Sequence, residues 1–183
     1  MKSYFTFLLL ILSILTVRSQ GLNTWIGGVG SWNVAANWDL GVVPFPTQDV
    51  LIPNAGDRVN ITQNVLASCG SITISDPGAT LWVNGVLNID AGGNSDGIVN
   101  EGTIQIFGQG AAHISGTGGN GSAGDGIVNQ GTLNVIGTLD FTADIEESGI
   151  LNLTGATLNI QPAGTITFYE GIGFRGINNS GGV

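Results

Sequence analysis

Positive charge is nearly missing from this 183-residue chain: four Lys and Arg residues stand against 13 Asp and Glu, a formal net charge of −9. Two of the four, Lys2 and Arg18, flank an apolar N-terminal run, so the rest of the chain keeps only Arg58 and Arg175 and has no lysine. Such an acidic surface repels phosphate backbones and anionic headgroups, which argues against nucleic acid as a partner. Cysteine is reduced to Cys69, which rules out an internal disulfide framework. Beside Gly70 at the start of a candidate strand, Cys69 reads as a small buried hydrophobe. Histidine is also single: His113 lies in a polar stretch with no second His or Cys at ligand spacing. No segment after residue 20 has a 3.6-residue apolar period, so the domain is expected to be all-β.

Long apolar runs are confined to the extreme N-terminus. Lys2 gives a positive start, Tyr4 to Val17 are almost uninterruptedly apolar, and Val17 and Ser19 suit a cleavage site. Residues 1–19 therefore read as a secretory signal peptide, cut between Ser19 and Gln20. The run falls short of the ~20 residues that a spanning helix needs. The expectation is a secreted protein, extracellular or on the outer cell surface, with no membrane insertion after cleavage.

Glycine, by contrast, is abundant, with 31 residues, and it punctuates a repeat. Asp96-Gly97-Ile98-Val99-Asn100-Glu101-Gly102-Thr103-Ile104-Gln105-Ile106-Phe107-Gly108 returns as Asp125-Gly126-Ile127-Val128-Asn129-Gln130-Gly131-Thr132-Leu133-Asn134-Val135-Ile136-Gly137. Each copy reads as a Gly/Asn corner followed by a strand that alternates apolar and polar residues. Such a unit has one apolar face and no partner of its own, so it must stack on its neighbours. Its strand half recurs at Gly70–Ile74, Ala79–Val83, Gly85–Ile89, Gly137–Phe141, Gly149–Leu153, Ala156–Ile160 and Gly164–Phe168. The aliphatic positions should face inward and the middle Thr, Asn, Gln or Asp outward. Asn100 and Asn129, at matching corners, suit the left-handed conformation and stacking on each other between coils. The predicted architecture is a single-stranded parallel β-helix, a β-solenoid, over residues 57–183.

Residues 20–56 form a separate Trp/Gly-rich module containing Trp25, Trp32 and Trp38. Bulky rings and prolines there suit a cap over the open end of a first coil. The other reading is a carbohydrate-stacking platform built from the same three rings. The spacing of Trp25, Gly27, Gly28, Gly30, Trp32, Trp38, Gly41, Pro44, Asp49, Val50, Ile52 and Pro53 resembles the opening module of secreted β-helical surface proteins of Gram-negative, especially Bacteroidetes-type, bacteria. That resemblance implies a large adhesin-like or stalk protein that displays loops from a rigid rod, with an extracellular glycan or a host or cell-surface component as partner.

The segments 91–96 and 108–125 read as loops bulging from one side, and the 18 residues from Gly131 to Gly149 as one coil. Asp90, Asn94 and Asp96 would offer oxygen ligands to one calcium ion from a single loop; no other cofactor is suggested. Gly118-Gly119-Asn120-Gly121 is out of register for a repeating calcium-binding nonapeptide. A polysaccharide lyase needs a base beside metal-binding carboxylates, yet Arg58 and Arg175 lie near opposite ends of the chain. A hydrolase needs paired carboxylates, for which Asp140, Asp144, Glu146 and Glu147 are the candidates. Non-catalytic use is the expected outcome. The chain closes on Gly176-Ile177-Asn178-Asn179, a fresh copy of the corner, so a longer protein continuing the repeat is expected.

Overall fold

The computed structural model describes residues 21–92, 95–116, 124–143, 145–169 and 175–181. They form an all-β parallel solenoid of about five turns. The first, partial coil holds β1 (Asn23–Thr24) and β2 (Val29–Ser31). The next holds β3 (Val50–Ile52), β4 (Arg58–Ile61) and β5 (Leu66–Cys69). Above it lie β6 (Ile72–Ile74), β7 (Thr80–Val83) and β8 (Val86–Asp90), then β9 (Ile98–Asn100), β10 (Thr103–Ile106) and β11 (Ala111–Ser115). The last complete coils are β12 (Ile127–Asn129), β13 (Thr132–Val135) and β14 (Thr138–Ala143), then β15 (Ser148–Leu153), β16 (Thr157–Ile160) and β17 (Thr165–Phe168). A final strand, β18 (Arg175–Ser180), lies on β15.

Corresponding strands build three sheets. One runs β1-β3-β6-β9-β12-β15-β18, the second β2-β4-β7-β10-β13-β16, and the third β5-β8-β11-β14-β17. Each pairing is parallel and joins one coil to the next. The alternation in the sequence sets this arrangement. In β10, Ile104 and Ile106 are buried while Thr103 and Gln105 are half-buried. The same register stacks Leu81, Ile104, Leu133 and Leu158 in one inward column. Each such burial is worth about 1.5–3 kcal/mol against an exposed side chain. Phe141 and Phe168 stack face to face one coil apart, 5.0 Å between centroids and 9° from parallel.

Every strand predicted from the Gly-Thr-Leu pattern is present. Three expectations need correction. The Asp-Gly-Ile-Val-Asn "corner" is a strand: Ile98–Asn100 is β9 and Ile127–Asn129 is β12, both in the seven-stranded sheet. Asn100 and Asn129 are accordingly not left-handed; Asn64 is the one non-glycine residue with positive φ among the described residues. The asparagines point inward, and this polar residue at an inward position disguised the strand. The stretch read as a loop over 108–125 contains β11, whose Ala-Ala-His-Ile core is too weakly apolar to stand out. Finally, Gly131 to Gly149 is not a whole coil. Asn100 and Asn129, one coil apart, are separated by 29 residues, and Asn129 and Asn152 by 23.

From β8 to β9 and from β11 to β12 the chain passes from the five-stranded to the seven-stranded sheet, so the strand ends on either side of both connections lie at the same corner. The Trp-rich module supplies β1 to β3 and shares one continuous hydrophobic core with the coils above it. Trp38 sits between Trp25 and Trp32, edge-on to each at 5.0 and 4.9 Å. Its indole N–H donates to the Trp32 carbonyl at 2.8 Å, and that of Trp25 to the Gly28 carbonyl at 2.9 Å.

Candidate functional site

The middle position of each strand in the six-stranded sheet faces outward, and the register lines up Asn60, Trp82, Gln105, Asn134 and Asn159. Four of these are amides; Asn159 donates to Asn134 at 2.8 Å on the exposed face. Trp82 breaks the row. A large aromatic at an outward position is more informative than one in a core, because burial does not explain it. The Arg58 guanidinium lies over the Trp82 ring, 4.3 Å from its centroid, and Phe107 packs edge-to-face at 5.4 Å. These contacts hold the indole in one orientation.

Beside this ring lies a groove of about 500 Å³, lined by Ser31, Asn60, Thr62, Trp82, Asn84 and Phe107 among others. Its lining carries no ionisable side chain. The Asn60 amide donates to the Gly30 carbonyl at 2.8 Å, and the Ser31 hydroxyl to Asn33 Oδ1 at 2.7 Å, which fixes the near wall.

The residues singled out from sequence fall elsewhere. Trp25, Trp32 and Trp38 are 0%, 0% and 1% exposed, so no ring face is open to a sugar and they cannot form a stacking platform. Their burial follows from their mutual packing, which leaves no side of the cluster facing solvent. Of the calcium candidates, Asn94 lies outside the described residues. Asp90 is exposed at the end of β8, and Asp96 turns Oδ1 to the backbone N–H of Asp125 at 2.9 Å. Among the described residues no group of three His, Cys, Asp or Glu side chains is placed to hold a metal ion, and no helix is long and apolar enough to cross a membrane.

His113 is in β11 rather than a loop, and its Nδ1 lies 3.2 Å from Asp140 Oδ2 in the next coil. The pair sits on the outer face of the five-stranded sheet. Glu147 instead borders a depression with Ser148, Arg175 and Asn178, and Asp144 lies outside the described residues. Arg58 and Arg175 belong to different sheets. Burial pushes the Asp125 carboxyl above the usual carboxylate range; Asp96 and Glu147 add to this against a hydrogen bond with Ser148. Cys69 is fully buried, and that burial, with Asp49 nearby, raises its thiol far above the ordinary value, so it is held as an inert thiol.

The sequence did hold a signal for the Trp82 groove. In Ala79-Thr80-Leu81-Trp82-Val83 the indole occupies the outward slot that Asn, Gln, Thr or Asp fills in the other repeats. Phe107 gives less away, because it follows its strand and only the coil geometry brings it to Trp82. Compared with known proteins, the chain matches no family model, no curated protein and no solved structure.

Proposed function

We propose that the chain is a non-catalytic, secreted or cell-surface structural module, adhesin-like, of the kind found in the β-helical surface proteins of Gram-negative, Bacteroidetes-type bacteria. The supporting observation is the contrast between a constant register and a variable coil. Strand pairing passes in step from coil to coil except for one shift after Ile114, where β11 meets β14, while the coil length changes from 29 to 23 to 27 residues along the asparagine positions. The connections that take up much of this variation share one corner. A rod that keeps its core fixed while its loops vary on one side suits the display of those loops to an extracellular glycan or a cell-surface component.

The test replaces residues 117–123 with a short Gly-Ser link. The thermal midpoint should move by less than ~3 °C, since a loop-length change costs little, while adhesion to glycan- or cell-coated surfaces should fall. Unfolding of the variant would remove the display reading. Release of reducing ends or unsaturated sugars from a polysaccharide would replace it with a hydrolase or a lyase.

A further inference from the structure

We propose that the groove beside Trp82 is a binding site for a neutral saccharide. The proposal deepens the display reading by naming a ligand class, and it concerns the outer face of a sheet rather than the loops. Three features carry it. The first is the ring itself, which is outward-facing in a row otherwise made of amides. The π-face of an indole is electron-rich, and the C–H-bearing face of a pyranose is its natural complement.

The second is preorganisation. Arg58 stacks on the ring and braces the indole without being among the residues that line the groove. Phe107 braces it edge-on. A ring already fixed loses little rotamer freedom when a ligand settles on it.

The third is the chemistry of the walls. Asn60, Asn84, Ser31 and Thr62 supply amide and hydroxyl groups around the two aromatics, and no carboxylate, lysine or arginine lines the groove. Hydroxyls around an apolar ring face match that lining. An anionic glycan would meet neither a cation in the groove nor a favourable field, because the whole chain carries a formal charge of −9. The volume of about 500 Å³ lies within the range of small-ligand sites, roughly 300–1,000 Å³.

The experiment titrates the soluble chain with cello-, xylo-, manno- and malto-hexaose, and with a galacturonate hexamer as the acidic counterpart, following intrinsic tryptophan fluorescence and calorimetry. At least one neutral hexaose should bind and shift the emission. Trp82→Ala should weaken that binding at least tenfold with an unchanged circular-dichroism spectrum, and Trp82→Phe should retain part of it. Asn84→Ala should weaken binding while leaving the emission spectrum of the free protein in place, and it carries the test if Trp82→Ala fails to fold.

No binding of any neutral hexaose overturns the proposal, as does binding that Trp82→Ala and Asn84→Ala leave intact, or binding of the acidic hexamer alone. Concentration-dependent dimerisation lost in Trp82→Ala would assign the groove to a second copy of the chain and likewise overturn it. The loop exchange is scored on surface adhesion and these titrations on the isolated chain, so either reading can fail without the other.

Discussion

The side-chain amide of Asn100 donates to Oδ1 of Asn129, one coil away, at 2.7 Å, and both residues are fully buried. Asn129 repeats the gesture to Asn152 at 2.7 Å, and Asn152 to Asn179 at 3.0 Å. Asn100 and Asn129 each spend the second N–H on a backbone carbonyl of the next coil, Thr132 and Thr157. The ladder thus has a direction. At its first rung Oδ1 of Asn100 has no donor, because Ile74 occupies the register position below.

Breaking the ladder in its middle should therefore cost more than altering its end. Asn129→Leu removes the acceptor that Asn100 donates to and the two donations to Asn152 Oδ1 and the Thr157 carbonyl, and a loss of about 2–5 kcal/mol in denaturant unfolding is expected. Asn100→Leu takes a donor from Asn129 Oδ1 and from the Thr132 carbonyl but also removes the unpartnered Oδ1 of Asn100, and should cost less. Ile74→Asn would extend the ladder to the orphaned oxygen and should be tolerated better than Ile72→Asn, which has no amide above it. Equal costs for the two isoleucine variants would show that the ladder has no energetic direction.

The Trp-rich module is expected to behave as a cap. Trp38 bridges Trp25 and Trp32, so Trp38→Ala removes two edge-to-face contacts and opens a cavity, at about 3–5 kcal/mol. Deleting residues 21–53 should leave a remainder that aggregates through its bare first coil, visible by light scattering. A soluble, folded monomer after the deletion would mean that the coils close themselves off without the tryptophans.

Two neighbouring glycines should respond differently to the same change. A methyl at Gly137 would overlap the carbonyl oxygens of Phe107 and Gly110, which are backbone atoms of the adjoining coil and cannot swing aside. Gly137→Ala is expected to cost about 1–3 kcal/mol. At Gly108 the nearest atom is Ile136 Cγ2 at 3.8 Å, so Gly108→Ala should be neutral or slightly stabilising. The comparison is made by chemical denaturation of the two variants side by side.

Asp125 gives the pH dependence. Its folded-state pKa is raised, chiefly by burial, so the folded chain binds its proton more tightly than the unfolded chain does. Stability from this group therefore falls as pH rises from the unfolded value to the folded one, and the full penalty is present above both. Asp125→Asn should raise the thermal midpoint at neutral pH, and its advantage should shrink as the solution is acidified. Midpoints of both proteins measured across the acid range decide this. A gap that stays constant with pH would show that ionisation of Asp125 is not its source.

How much of this was legible in the sequence depended on where polar residues sit relative to the core. Where alternation was unbroken, as in Thr132-Leu133-Asn134-Val135, the strand and its facing followed directly. Where an inward position carries asparagine, as in Ile127-Val128-Asn129, the pattern read as a turn, because an amide facing a core makes sense only when its partners from adjacent coils are in place. The three N-terminal tryptophans advertised themselves by density in the chain and proved to be packing. Trp82 stood alone in a loose repeat, and its importance depended on Arg58 and Phe107, which come from the coils on either side.

The parallel pairing also has a mechanical side. Successive coils are joined by hydrogen bonds directed along the rod, so tension along that axis pulls on one row of bonds at a time instead of shearing many together. Such a rod yields in steps. A coil of the size that separates Asn152 from Asn179, 27 residues, frees roughly 90 Å of chain when it peels away, at ~3.3–3.6 Å per residue. The coils beneath keep their own pairings while it does so. A tether built this way answers a sudden load by paying out length and recovers by rewinding onto the edge that remains.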